Sequence, residues 1–137
     1  MRRAVSCAFV LALALAAVGC DNGPEPTIPT PPPTVTESFS GDLNLNGAAT
    51  HPFTASAAGL VTVTLTAINP AENNVVGLSM GTWDGVTCRI VLANDFAITS
   101  STLTGSTSTA ANLCVRLYDQ GNLKNNSVAY TVQVQHP

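Results

Sequence analysis

Apolar and polar residues alternate along most of this chain from residue 39 onward, which is the period of a β-strand rather than of a helix. In the clearest case, Val61, Val63, Leu65 and Ala67 are separated by threonines. Four further segments alternate in the same way, namely 39–45, 76–80, 113–117 and 128–134. Since no window of the sequence carries a helical stripe of useful length, the pattern predicts short β-strands without helices.

Two less regular segments predict further strands. Residues 88–93 form a nearly continuous apolar run, which is typical of a strand buried on both sides. Residues 98–103 lie in a Thr/Ser-rich stretch and predict a weak edge strand. Turn residues separate the predicted strands at intervals of about ten, at Asn46-Gly47, Asn69-Pro70, Asp84-Gly85, Gly105 and Gly121-Asn122. Seven or eight short antiparallel strands predict an all-β fold, a small two-sheet sandwich.

The first twenty residues follow another pattern. Arg2 and Arg3 precede the apolar run 4–19, which has the layout of a secretory signal. The series Ala17-Val18-Gly19-Cys20 at its end resembles the lipobox of bacterial lipoproteins, in which the cysteine is lipidated and becomes the new N-terminus. The resemblance implies that Cys20 anchors the protein to a membrane. Cleavage by an ordinary signal peptidase after residues 14–16 and retention of the run as an uncleaved anchor are the two alternatives. All three place the rest of the chain outside the cytoplasm.

A proline-rich segment follows the predicted anchor. Six prolines between residues 24 and 33 alternate with threonines, and they favour an extended polyproline II conformation. The segment therefore predicts a spacer of roughly 50 Å. The expected organisation is a signal peptide at 1–19, the lipidated cysteine and linker at 20–38, and a β-sandwich domain at 39–137.

Cysteine usage agrees with export. Of the four cysteines, Cys7 lies in the signal and Cys20 at the lipidation position, so that Cys88 and Cys114 remain. In an oxidising compartment one remaining pair predicts a disulfide, and its loop of about 25 residues contributes about 3 kcal/mol to stability. Two separate buried thiols are the alternative. Neither histidine of the domain lies near a cysteine at zinc-site spacing, so we expect no metal and no cofactor.

The charge of the chain excludes one class of partner. Without Arg2 and Arg3, three basic residues stand against eight acidic ones, a net charge of about −5. Because there is no basic patch, nucleic acid is not an expected partner.

The domain also resembles a known family. Four segments carry the likeness, namely 53–55, 59–65, 113–119 and 129–132, together with the turn Asp119-Gln120-Gly121-Asn122-Leu123. They resemble the bacterial pre-peptidase C-terminal domain family, and the likeness covers residues 39–137. Members are small jelly-roll-like β-sandwiches that accompany secreted peptidases or act as accessory modules. The resemblance therefore implies a jelly-roll-like fold and a non-catalytic role.

One motif points to catalysis at first sight. Gly77-Leu78-Ser79-Met80-Gly81 matches the nucleophile elbow of hydrolases, and Asp95 or Asp119 and then His136 follow in hydrolase order. That elbow requires a turn between a strand and a helix, whereas a turn into another strand follows here. We therefore expect a strand with two glycines, no catalytic residues and no enzyme activity.

Two kinds of binding residue remain. Oxygen-bearing side chains suit calcium but are also ordinary turn residues, and they occur at Asp42, Asn44, Asn46, Asn94, Asp95, Asp119 and Asn122. Among the aromatic residues, Tyr130 falls in register with core valines, and Trp83 beside a turn is the better candidate for contact with a sugar ring. Arg89 and Arg116 follow the two cysteines closely and are expected to share one face and to pair with acids.

These observations predict a non-catalytic lipoprotein of the cell envelope, held at a membrane by its N-terminal lipid on the extracytoplasmic side. The leading expectation is a structural or interaction module, with an envelope protein as one kind of partner. The alternative is an accessory module that binds polysaccharide or peptide, with Trp83 as a ligand contact, and that presents substrate to a separate hydrolase.

Overall fold

The computed structural model describes Gly23 and residues 30–137. Within it, Pro31–Pro137 form one compact unit. The predicted signal peptide, the lipidation position Cys20 and most of the proline-rich linker lie outside the described residues. Among the residues that are described, no helix is long and apolar enough to cross a membrane.

The domain consists of two packed β-sheets. In chain order the strands are β1 (Val35–Asn44), β2 (Ala48–Ala55), β3 (Gly59–Asn69), β4 (Val76–Trp83), β5 (Cys88–Ala97), β6 (Thr102–Thr107), β7 (Ala111–Tyr118) and β8 (Ser127–His136). Sheet A has the order β1-β8-β3-β6, and sheet B has the order β2-β7-β4-β5. All pairings are antiparallel, and the two sheets enclose one core. The prediction of a small all-β two-sheet sandwich is confirmed.

The core contains the apolar residues that the alternation assigns to one face of each strand. Val61, Val63 and Leu65 on β3 are at most 2% exposed. Tyr130 on β8 is 3% exposed and lies among core valines, as predicted. Because apolar burial is the main favourable contribution to folding, these positions determine which face of each strand points inward.

The alternation changes phase near the end of β3. A bulge between Leu65 and Ala67 shifts the pairing with β8 by one residue. Ala67 is therefore exposed, whereas Ile68 is only 5% exposed and takes the next core position. One extra residue in a strand moves the following side chains to the opposite face.

Residues 88–93 lie in a strand, as predicted, but the predicted burial on both sides is wrong. β5 lies at the edge of sheet B, and Ile90 and Val91 are 46% and 70% exposed. The strand buried on both faces is β4, in which every residue from 76 to 81 is buried. Its sequence still alternates, because glycine and serine occupy the second face and allow neighbouring groups to cover it closely. Because small residues interrupt the apolar run, the sequence of such a strand does not show that both of its faces are buried.

Two predicted boundaries also differ from the structure. β1 begins at Val35, which pairs with His136, so the first strand starts four residues before the expected domain boundary at 39. After the last proline of the linker, Pro33, every residue of β1 has an N–H group and can join the ladder. Gly105, expected in a turn, lies inside β6 opposite Val61.

Candidate functional site

The outer face of sheet B, the side turned away from the core, carries five of the residues that the sequence singles out. Ser79 and Trp83 on β4, and Cys114, Arg116 and Tyr118 on β7, alternate with core residues of the same strands. Since successive side chains of a strand point to opposite faces, all five side chains share this outer face.

The Gly-x-Ser-x-Gly motif lies in the middle of β4, as expected for a strand. Ser79 has no exposed surface, and its hydroxyl donates a hydrogen bond of 3.2 Å to the carbonyl oxygen of Arg116. His136 lies on β8 in the other sheet, where its Nε2 contacts Glu37 Oε1 at 2.9 Å. The fold therefore does not bring the members of the apparent hydrolase series together.

The two glycines of the motif allow close packing on β4. A Cβ atom at Gly77 would overlap the ring of Tyr118. A Cβ atom at Gly81 would overlap the carbonyl oxygen of Arg89 and lie 2.9 Å from the Cα atom of Ile90. Glycine is therefore required at both positions, because the Tyr118 ring and the backbone of β5 lie directly on the β4 backbone.

The predicted disulfide is present. Cys88 at the start of β5 is joined to Cys114 on β7, with their Cα atoms 5.8 Å apart. Cys114 pairs with Gly81 of β4 and has no exposed surface. The disulfide thus connects β5 to β7 over the glycine of the strand between them, and it fixes the β4–β5 hairpin on sheet B.

Beside this hairpin, Trp83 lines an open depression of about 480 Å³. The other lining residues come from β2, from the start of β7 and from the hairpin turn, and they are Pro52, Phe53, Thr54, Asp84, Gly85 and Asn112. Trp83 itself is partly exposed. The combination of a partly exposed aromatic ring with hydroxyl and amide groups is typical of a site for a small polar ligand with an apolar face.

The polar groups of the depression differ in whether they are free to bind a ligand. Asp84 is committed to the turn, since it accepts hydrogen bonds from the N–H groups of Thr87 at 2.7 Å and Val86 at 3.0 Å. These donors, together with the Arg89 guanidinium, hold the pKa of Asp84 below its usual value. Thr54 donates a hydrogen bond of 3.1 Å to Asn112 Oδ1, and this orients the amide. The side-chain NH₂ group of Asn112 makes no hydrogen bond within the described part of the chain.

The remaining aromatic and basic residues of sheet B have packing roles. Arg116 pairs with Ser79 and lies on the outer face, whereas Arg89 pairs with Thr82 and lies on the other face, so the expectation that the two arginines share one face is wrong. The hydroxyl of Tyr118 donates to Asp95, and burial together with this carboxylate raises the pKa of Tyr118. Arg89 Nε lies 3.3 Å from Asp84 Oδ2, which confirms the expected pairing with an acid. Arg116 instead lies over the ring of Tyr118, 5.8 Å from its centroid. Of the aromatic candidates, Trp83 alone lines the depression.

The oxygen-bearing candidates for calcium do not converge on an ion site. In the described residues, no group of three or more His, Cys, Asp or Glu side chains could hold a metal. Asp119 Oδ1 accepts the N–H groups of Gly121, Asn122 and Leu123 at 2.9 to 3.1 Å, and Oδ2 accepts that of Asn46 at 2.8 Å. Burial raises the pKa of Asp119, but these four donors outweigh it and hold the pKa below the usual value.

Replacing Asp119 by asparagine is expected to lower the free energy of unfolding by about 2 kcal/mol at neutral pH, because the amide has one acceptor oxygen instead of two. The pKa of Asp119 in the folded protein lies below the usual 3.8. The stabilisation that its carboxylate contributes is therefore fully present above pH 3.8 and is lost as the pH falls through the pKa of the folded protein. Chemical denaturation at a series of pH values measures the difference, with Asp42→Asn, a change of an exposed acid on β1, as the control. Equal stabilities of Asp119→Asn and Asp42→Asn at neutral pH would contradict the expectation.

Sequence reasoning missed Asn74, the most buried amide of the domain at 1% exposure. Its Nδ2 donates to the carbonyl oxygen of Pro70 at 2.9 Å and to Asn125 Oδ1 at 2.8 Å, and its Oδ1 accepts the N–H group of Lys124 at 2.9 Å. Asn74 thereby joins the loop before β4 to the loop before β8. In the sequence it lies among other polar loop residues, and nothing there distinguishes it from an ordinary turn asparagine.

The role of His51 was also not predicted. Its Nε2 shares a hydrogen bond of 2.7 Å with the hydroxyl of Tyr130, and the ring of Phe39 stacks on it with centroids 5.0 Å apart. Burial lowers the pKa of His51. The three rings close the sandwich where β1 faces β2, so this histidine is part of the core boundary.

The chain matches no protein-family model. A search of curated proteins also finds no match. The likeness to the pre-peptidase C-terminal domain family and the lipobox at residues 17–20 therefore remain predictions. The function is accordingly inferred from the geometry of the domain.

Proposed function

We propose that this protein is a lipid-anchored, non-catalytic interaction module of the cell envelope, and that it binds a neutral polysaccharide in the depression beside Trp83. The observation that carries the proposal is the partly exposed Trp83 ring in an open depression together with oriented polar groups. The lipid on Cys20 and the proline-rich spacer hold the module at a membrane, and mass spectrometry of the mature N-terminal peptide tests that part directly.

A sugar ring has one apolar face of C–H groups and a rim of hydroxyl groups. An aromatic ring packs against the C–H face, and amide or hydroxyl groups of the protein form hydrogen bonds with the hydroxyl rim. The depression offers both, because Trp83 supplies the ring and Asn112, oriented by Thr54, supplies donors at the rim. A volume of about 480 Å³ lies within the range of small-ligand sites.

The charges favour a neutral ligand over an acidic one. The whole chain has a formal net charge of −3 and no basic patch. Within the depression, the Asp84 carboxylate already accepts two N–H groups and contacts Arg89. The Arg89 guanidinium is already paired with this carboxylate, so an anionic polysaccharide would meet no unpaired cation among the residues that line the depression, whereas a neutral one can bond to the amide and hydroxyl groups.

Replacing Trp83 by alanine is expected to weaken binding of neutral oligosaccharides by about tenfold, because the stacking surface is lost. Trp83→Tyr keeps an aromatic face and should retain most of the affinity. The measurement is titration calorimetry of the purified mature protein in detergent, using a panel of neutral and N-acetylated oligosaccharides of two to six units.

The matched control is Phe96→Ala, since Phe96 is also aromatic and is 71% exposed but lies on β5, outside the depression. We expect this variant to bind like the wild type. Absence of binding to every oligosaccharide of the panel at millimolar concentration would refute the proposal, and so would equal losses in Trp83→Ala and Phe96→Ala.

A further inference from the structure

The side of the sandwich where β1 faces β2 is held by side chains rather than by backbone pairing. β1 is the outer strand of sheet A and β2 is the outer strand of sheet B, and no strand pairing joins them in the described part of the chain. The rings of Phe39 on β1, His51 on β2 and Tyr130 on β8 make the contact instead. A change in one of these rings therefore acts directly on the contact between β1 and sheet B.

His51 is the ring that joins the other two. It stacks on Phe39 with an angle of 14° between the ring planes and a centroid distance of 5.0 Å. Its Nε2 shares a hydrogen bond of 2.7 Å with the Tyr130 hydroxyl. That hydroxyl lies directly on Gly41 of β1, where an added Cβ atom would be only 2.8 Å away. His51 thus contacts the middle of β1 through Phe39 and, by way of Tyr130, at Gly41.

The two histidines of the chain both lie on this side of the domain. Histidine is the side chain whose charge ordinarily changes between about pH 5 and pH 8. His136 contacts Glu37 of β1 through its Nε2 at 2.9 Å, and its ring lies 5.2 Å from that of Phe53. β1 therefore meets a titratable ring at two points, at Glu37 near the linker and at Phe39 in its middle.

The two rings differ in the charges that face them. A protonated His136 has the carboxylate of Glu37 as its partner. His51 has no such partner, since within the described residues no carboxylate forms an ion pair with it. Besides His51, β2 contains no acidic or basic residue, and the other acid of β1, Asp42, is exposed on the outer face of sheet A.

The strands next to His51 supply no counter-charge either. On β7 its cross-strand partner is the buried Val115, while Arg116 lies on the outer face of sheet B. On β8 the facing group is the Tyr130 hydroxyl, whose pKa is raised by burial and, to a smaller extent, by Asp42. Protonation of His51 therefore places a charge beside apolar side chains without a paired counter-ion.

Burial lowers the pKa of His51, and no opposing cause offsets it. The unfolded chain therefore takes up the proton at a higher pH than the folded domain does. The stability that the neutral ring provides is complete above its ordinary pKa of 6.5 and decreases as the pH falls below that value. In the protonated ring both nitrogens are donors, so Nε2 can only donate and the Tyr130 hydroxyl must accept.

We propose that His51 is an acid-sensitive switch of β1, whose protonation loosens the middle of the strand from sheet B. The end of β1 next to the linker stays attached, because the same acidification gives Glu37 a charged partner in His136. Since the proline-rich linker leads directly into β1, the loosened segment lies between the linker and the rest of the domain. Binding of a sugar beside Trp83 plays no part in this switch.

The experiment is hydrogen exchange of the backbone amides in the purified mature protein in detergent, followed by mass spectrometry. The amides of residues 38–43 are expected to exchange at least about threefold faster at pH 5 than at pH 7.5, after correction for the intrinsic effect of pH on exchange. The amides of residues 61–65 on β3, an inner strand of sheet A, should show no such difference.

His51→Gln and His51→Phe are the test variants. Glutamine can still bond to the Tyr130 hydroxyl and phenylalanine can still stack on Phe39, but neither gains a proton at pH 5. In both variants the corrected exchange of residues 38–43 should be the same at pH 5 and at pH 7.5, whatever the stability of the variant. The matched control is His136→Gln, which keeps a hydrogen-bonding group at Glu37 and should retain the acid response of the wild type.

Three outcomes would contradict the switch. The first is equal corrected exchange of residues 38–43 at the two pH values in the wild type. The second is an acid response that persists in both His51 variants or disappears in His136→Gln. The third is an NMR titration in which the His51 ring takes up its proton at or above the ordinary pKa of 6.5. Failure of sugar binding in the calorimetry would leave these measurements unaffected, so the two proposals can be judged separately.

Discussion

Reduction of the disulfide between Cys88 and Cys114 is expected to lower the free energy of unfolding by about 3 kcal/mol. The bond closes a loop with a sequence separation of 26 residues, and opening it increases the conformational entropy of the unfolded chain by the corresponding amount. For a domain of this size the melting temperature should fall by roughly 15 °C. Urea denaturation with and without a phosphine reductant measures the change.

The control for this expectation is the double variant Cys88→Ala with Cys114→Ala. It should have the stability of the reduced wild type within about 1 kcal/mol, since the small side chains leave little empty space on the outer face. Its stability should not respond to the reductant. If the wild type is equally stable in both conditions, the disulfide does not constrain the unfolded chain as argued.

Replacing Gly81 by alanine should lower the free energy of unfolding about as much as reduction of the disulfide. The added Cβ atom would overlap the carbonyl oxygen of Arg89, which belongs to the backbone of β5 and cannot rotate away. Either the β4–β5 pairing or the disulfide next to it must then be distorted. We expect a loss of about 3 kcal/mol or more in the free energy of unfolding, measured by urea denaturation.

Gly105→Ala is the matched control, because Gly105 is also a glycine inside a strand. A Cβ atom there would lie 2.9 Å from Met80 Cε and 3.2 Å from Leu92 Cδ1, both ends of flexible side chains that can move. The expected loss is about 1 kcal/mol or less. Equal losses for Gly81→Ala and Gly105→Ala would show that backbone contact is not the reason for glycine at position 81.

Both expectations concern the attachment of β5 to sheet B, and the depression beside Trp83 depends on that attachment. The hairpin that carries Trp83 and Asp84 leads directly into β5. A variant that loosens the hairpin should therefore disturb the ligand depression as well as the stability of the domain. A side-chain change such as Trp83→Ala should instead weaken binding without loosening the hairpin.

Much of the fold could be predicted from the sequence because burial and alternation are coupled in a sandwich. Val61, Val63 and Leu65 alternate with threonines, and only one face of a strand in a two-sheet fold meets the core. The disulfide could be predicted because the predicted lipoprotein signal accounts for Cys7 and Cys20, and this leaves one pair of cysteines. The catalytic appearance of the Ser79 motif could be discounted because the elbow needs a following helix.

The candidate site could be predicted only in part. Trp83 was identified because it lies beside a turn, but the depression around it depends on Thr54 and Asn112, which are far from it in sequence. Strand order brings these residues together through the pairing of β2 with β7 and of β7 with β4. No local pattern in the sequence encodes that order, since many strand orders bury the same residues.

The sequence by itself determined the strands, their inward faces and the pair of cysteines, because each of these depends on the chemistry of residues close together in the chain. The tertiary structure alone decided that β4 is central and β5 is at an edge. It also decided that Ser79 is buried, that Asn74 joins two loops and that Trp83 lines a depression. These features depend on which strands become neighbours, and that is decided by packing of the whole core rather than by any single segment.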